Sequence, residues 1–125
     1  MRFAKLVFLI AGIYGLIVML PQCFLEKKTG NDFPPSITHP EFFYGFIGVT
    51  VAWQVLFLIL SRDPERYRPM MLAGILEKFS FAIAIGILYF DHRVSPLVLA
   101  PATIDLLFGI LFFAAFRMTS PKRSQ

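Results

Sequence analysis

Between residues 69 and 90 the chain is apolar except for an adjacent acid and base, Glu77 and Lys78, and the hydroxyls of Ser80 and Tyr89. A helix of that length crosses the roughly 30 Å hydrocarbon core of a bilayer at about 1.5 Å per residue. Three further runs of the same character, 3–24, 42–60 and 96–116, take up most of what remains of the 125 residues. The pieces between them are too short to build a soluble domain. A composition of 57% hydrophobic residues with 15 Phe is also too apolar for a water-soluble fold of this size. The sequence therefore reads as one integral membrane domain, 1–125, of the all-α class: an antiparallel four-helix transmembrane bundle.

The net charge of +4 does not point to nucleic acid, because the basic residues flank apolar runs as topology signals do. Arg2, Lys5, Arg62, Arg66, Arg68, Arg117, Lys122 and Arg123 fall on one side of such a bundle, and only Lys27, Lys28 and Arg93 on the other. This asymmetry places both termini in the cytoplasm of a cell membrane. The expected partners are the lipid bilayer itself and a second copy or a membrane-complex subunit, with no nucleic acid. The three arginines of the 61–68 turn are candidates to hold anionic headgroups. The first run resembles a signal peptide, with Arg2 and Lys5 ahead of it, yet it is long enough to span and is read as a helix. Cys23, the single cysteine, cannot form an internal disulfide.

Ionisable groups inside apolar spans are expensive and mark functional sites by default. Ala73, Glu77, Ser80 and Ala84 follow a 4-3-4 spacing and share a face of small or polar residues, which is expected to meet a neighbouring helix. Leu72, Ile75, Phe79 and Ile83 are expected to face lipid. Lys78 lies on the flank with Gly74, Phe81 and Ile85, free to turn inward or to snorkel. Depth counted from the 61–68 turn brings Gln54 level with Glu77 and Thr50 level with Ser80, which predicts an interhelical amide–carboxyl hydrogen bond. Asp105 follows Pro101 by one turn in the last run, where the proline is expected to kink the helix. Asp105 comes level with about Ser80. Side chains tilt toward their helix N-terminus, which turns Lys78 and Asp105 away from each other, but the lysine's reach of about 6 Å can close the gap. With Tyr14 near mid-span, these residues make a polar intramembrane seam: Tyr14, Thr50, Gln54, Glu77, Lys78, Ser80 and Asp105.

Smaller signals mark the ends. Residues 26–40 read as a long loop, and Thr38 with Glu41 as a capping box with Pro40 in the first turn. Ser95 and Pro96 read as the cap and first position of the last helix. Gly12 and Gly15 offer close-packing points on the first. Both histidines, His39 and His92, fall in loops, so haem within the spans is not expected. No metal-ligand spacing, phosphate loop or activated nucleophile is present, so no catalytic residue, cofactor or metal is assigned.

The segment FYGFIGVTVAWQVLFLILSRDPERYRP, with Tyr44-Gly45-Phe46 and the 61–64 turn, resembles small bacterial four-helix membrane proteins of the DoxX-like kind. The resemblance covers the layout of nearly the whole chain. It implies a multi-pass protein of the bacterial inner membrane, from families with some members linked to quinone or sulfur metabolism, and it transfers no catalytic residue. The functional expectation is an accessory or structural membrane subunit or small oligomer. The alternatives are a proton-coupled or small-solute carrier using Glu77 and Asp105 and, weaker, a quinone- or lipid-linked enzyme.

Overall fold

A computed structural model describes residues 2–120 of the chain. Lys122 and Arg123, which contribute to the charge asymmetry, lie outside the described residues. Helix α1 (Arg2–Met19) runs on into a 3₁₀ segment, Leu20–Phe24, where Pro21 removes a backbone donor and ends the α-helical ladder. A short helix α2 (Glu26–Asp32) follows, then α3 (Pro40–Arg62), α4 (Met70–Phe90), a 3₁₀ turn at Pro96–Val98 and α5 (Leu99–Met118). Among the described residues there is no strand. Four segments, Arg2–Phe24, Pro40–Arg62, Met70–Phe90 and Pro96–Met118, are long and apolar enough to cross a membrane. They form an all-α bundle of the membrane-spanning type, a multi-pass architecture in which each span satisfies its own backbone.

The helices do not pack evenly. The two close pairs are α1 with α3 and α4 with α5, bridged by α1 against α5, while α3 and α4 barely touch although a short turn joins them. Both termini of the described chain and the 63–69 turn share one end of the bundle, the terminal end. The 25–39 and 91–95 connections share the other, the loop end. The core lies at the terminal end. Phe8, Phe57, Met71 and Phe112, one from each span, are fully buried with Ala4, Ala11 and Ala115. The Phe8 and Phe112 rings stack with centroids 4.3 Å apart, and Phe57 meets Phe112 edge-on at 4.9 Å. Lipid tails are as apolar as these rings, so close dispersion contact and ring geometry hold this end together rather than escape from water. At the loop end the helices separate: α3 and α4 part, and a cavity lined from all four spans opens between them.

Local geometry agrees with several sequence signals and corrects others. Gly12 lets α1 close on α3, where an added Cβ would stand 3.0 Å from the Gln54 carbonyl oxygen. Ser95 Oγ accepts from the Leu97 N–H at 3.2 Å and caps the 3₁₀ turn begun by Pro96. The 26–40 stretch is not all loop, because α2 occupies its first half, steadied by Lys28–Asp32 at 2.7 Å. Thr38 and Glu41 form no capping box. The N-cap of α3 is His39, and Glu41 Oε1 turns back to His39 Nδ1 at 3.2 Å. Pro101 sits in the first turn of α5, where its missing N–H would have no partner anyway, so the chain enters there from a 3₁₀ turn instead of kinking in mid-helix.

The largest correction concerns the rotation of α4. Ala73, Ser80 and Ala84 are exposed, and the inward face is that of Met71, Gly74 and Lys78. Gly74 admits Phe57 and Phe112, and Phe79, expected in lipid, lies against Gly109 of α5. Arg68 is not a free headgroup ligand either. Its Nε donates to the carbonyls of Thr119 at 2.6 Å and Phe116 at 3.3 Å, and its guanidinium lies 3.8 Å from the Phe116 ring centre. It ties the start of α4 to the negative C-terminal end of α5.

Candidate functional site

Where the aromatic core ends and the helices begin to part, α4 carries Lys78 inward. Its Nζ donates to Asp105 Oδ1 of α5 at 3.3 Å and stands 3.7 Å from Glu77 Oε2, an ion-pair contact too long for a hydrogen bond. Lys78 is only 3% exposed. The ammonium also lies 5.3 Å from the Phe57 ring centre and 5.6 Å from that of Phe108, within cation–π range. The lysine is therefore neither snorkelling nor unpaired. With both acids ionised, two carboxylates share one ammonium, and the cluster is one positive charge short.

Gln54 of α3 lies at the same boundary and is 1% exposed. Its Nε2 donates to the Thr50 carbonyl one turn back at 2.9 Å, and its amide packs over Gly15 of α1. The expected Gln54–Glu77 hydrogen bond is absent, because α3 packs on α1 and diverges from α4. Gln54 Oε1 and Glu77 Oε2 are consequently two buried acceptors without a hydrogen-bond partner. Ser80 stands apart from the cluster: it is exposed, and its hydroxyl donates to the Glu77 carbonyl of its own helix at 3.0 Å.

Above this boundary the separated helices enclose a cavity of about 710 Å³. Tyr14, Gln54, Glu77, Lys78 and Asp105 form its floor, with Thr50 just above. The Tyr14 ring lies 5.7 Å from that of Phe108, one turn from Asp105. Phe43, Phe46, Ile47, Phe81 and Val98 make the walls, and Asp32, Arg93 and Ser95 stand at the loop-end mouth. Phe46 and Phe81 face each other across the gap between α3 and α4, with ring centres 6.2 Å apart. Six of the seven residues of the expected seam thus border one space, and Ser80 does not.

Sequence reading missed the aromatic walls and the Phe8–Phe57–Phe112 closure beneath the floor. A signal for the latter exists: each of these phenylalanines lies within two turns of a basic residue at the terminal end, Arg2, Arg62 or Arg117, which puts them at one depth.

The size and make-up of the space suit a small molecule, since ligand sites of about 300–1,000 Å³ are mostly apolar with a few convergent polar groups. The floor is able to exchange a proton or hold a hydrogen-bond donor at the partly exposed Glu77 and Asp105 carboxylates, while the walls take an apolar body. Among the described residues no group of three His, Cys, Asp or Glu is placed to hold a metal ion. No protein-family model, curated protein or solved structure matches the chain.

Proposed function

We propose that this chain is a small-solute carrier of the bacterial inner membrane, with the interhelical cavity as its binding site and Glu77 and Asp105 as its proton-coupling groups. One observation carries the reading. A cavity of about 710 Å³ reaches from the loop end to a buried ion cluster and is closed below by aromatic rings. A purely structural ion pair is served better by a sealed seam, because water and an open space beside it weaken the attraction. The basic residues at the terminal end favour a cytoplasmic placement of that end, so the mouth opens on the opposite side.

A second reading, an accessory subunit or small oligomer, is favoured by the outward position of Gly45, Gly48 and Ala52 on α3 and of Ala73 and Ala84 on α4. Small residues of this kind let another helix approach closely.

The test is side-specific thiol labelling of Thr50→Cys in a Cys23→Ser background, in sealed proteoliposomes. The carrier reading expects reaction with a membrane-impermeant cationic methanethiosulfonate from the loop-end side only, and slower reaction when Glu77→Gln and Asp105→Asn are added. If the Thr50→Cys protein folds and its thiol stays unreactive from both sides, the seam is sealed and dry, and the accessory reading is left standing.

A further inference from the structure

The imbalance of donors and acceptors at the cavity floor says what kind of molecule completes it. Glu77 and Asp105 bring two partly exposed carboxylates to the floor with the single ammonium of Lys78 between them, while Gln54 Oε1 is turned away against Gly15. The nitrogen donors nearby are turned to groups of the protein itself, and the hydroxyls of Tyr14 and Thr50 also border the space. Lys78 Nζ is held by Asp105 and faces Glu77, and Gln54 Nε2 is spent on the Thr50 carbonyl. A carboxylate head would set a third acid beside two that already share one ammonium, and like charges at close quarters disfavour each other. A cation would instead supply the missing positive charge of the Glu77–Lys78–Asp105 cluster. Above the floor, Phe43, Phe46 and Phe81 offer ring faces and edges to an apolar body, and to a cation passing them.

Resting on the carrier reading, we infer that the solute is an amphipathic amine, bound as its ammonium ion. The ammonium N–H groups bond the carboxylates of Glu77 and Asp105, whose side chains are 17% and 18% exposed, and the hydrophobic body lies along the aromatic walls. Arg93 borders the mouth, on the same rim as Asp32, and pairs with no group of the solute.

The experiment is calorimetric titration of the full chain in dodecylmaltoside micelles with three probes of one shape: 1-naphthylmethylammonium, 1-naphthalenemethanol and 1-naphthoate. The inference expects the ammonium to bind about tenfold or more tightly than the alcohol, the worth of one charge-assisted bond, and the carboxylate to show no saturable binding. Glu77→Gln reduces the ammonium preference to about threefold or less. If the alcohol or the carboxylate binds as tightly as the ammonium, the amine assignment is wrong and the cavity remains a solute site. If none of the three binds, the carrier reading falls and the amine assignment with it. The selectivity of the unmodified protein decides between these outcomes, so a variant that fails to fold leaves the answer unaffected.

Discussion

Replacing Lys78 by methionine is the sharpest perturbation of the site. Methionine keeps the unbranched stem between Phe57 and Phe108, where a thioether packs well on aromatic rings, so the change removes charge with little loss of volume. It leaves Asp105 without its 3.3 Å donor and Glu77 without its 3.7 Å counter-ion. Removing one partner of a buried ion pair costs about 3–5 kcal/mol in soluble proteins, whereas interhelical polar contacts in bilayers average about 0.6 and reach about 1.7 kcal/mol. The carboxylate side chains are 17% and 18% exposed toward the cavity, which softens the cost relative to a sealed pair. Two ring contacts of about 0.5–1 kcal/mol each are lost as well. The structure therefore implies a loss of about 3 kcal/mol, with a Lys78–Asp105 coupling of about 1.5 kcal/mol in a double-mutant cycle using Asp105→Asn. Unfolding in mixed micelles titrated with SDS, followed by far-UV circular dichroism, measures both. A Lys78→Met protein as stable as its parent, or a coupling within about 0.3 kcal/mol of zero, refutes the buried-cluster geometry.

Other positions give independent checks in the same assay. Gly15→Ala drives a methyl group into the Gln54 amide and is expected to destabilise by about 1–3 kcal/mol, whereas Gly48→Ala, with nothing within 4 Å, stays within about 0.5 kcal/mol. Arg68→Lys keeps the charge but loses the planar stack on Phe116 and the fixed donor to the Thr119 carbonyl; a loss of about 1–2 kcal/mol is expected, with faster hydrogen exchange at the end of α5. His92 closes α4 with φ 58°, while the Arg93 N–H bonds the Leu88 carbonyl and the His92 N–H that of Tyr89, so His92→Gly should raise stability by about 1 kcal/mol.

Much of the architecture is legible in residue order because length and hydropathy suffice for it. The runs 42–60 and 96–116 differ from the spans Pro40–Arg62 and Pro96–Met118 only at their ends. Azimuth is less legible. Lipid and protein interior are equally apolar, so a face of small residues such as Ala73, Ser80 and Ala84 gives no sign of which way it turns. What turned α4 was Gly74, whose missing side chain admits Phe57 and Phe112 and carries the adjacent Lys78 flank inward. Counting from a turn gives depth but not neighbour, which is why Gln54 and Glu77, level in the hairpin, belong to helices that diverge. The Lys78–Asp105 pair shows the opposite case. Backbone direction disfavours it, and the flexibility of four methylene groups overrides that direction.

The central claim, that acid and base meet across α4 and α5 beside an open cavity, is accessible to magic-angle-spinning NMR of the chain in lipid bilayers. Dipolar recoupling between ¹⁵Nζ of Lys78 and ¹³Cγ of Asp105 should show the strong coupling of a direct contact, consistent with the 3.3 Å Nζ–Oδ1 distance, and the Lys78 ammonium should receive magnetisation from water. No measurable coupling, with cross-peaks from Lys78 to acyl chains in place of water, would contradict it.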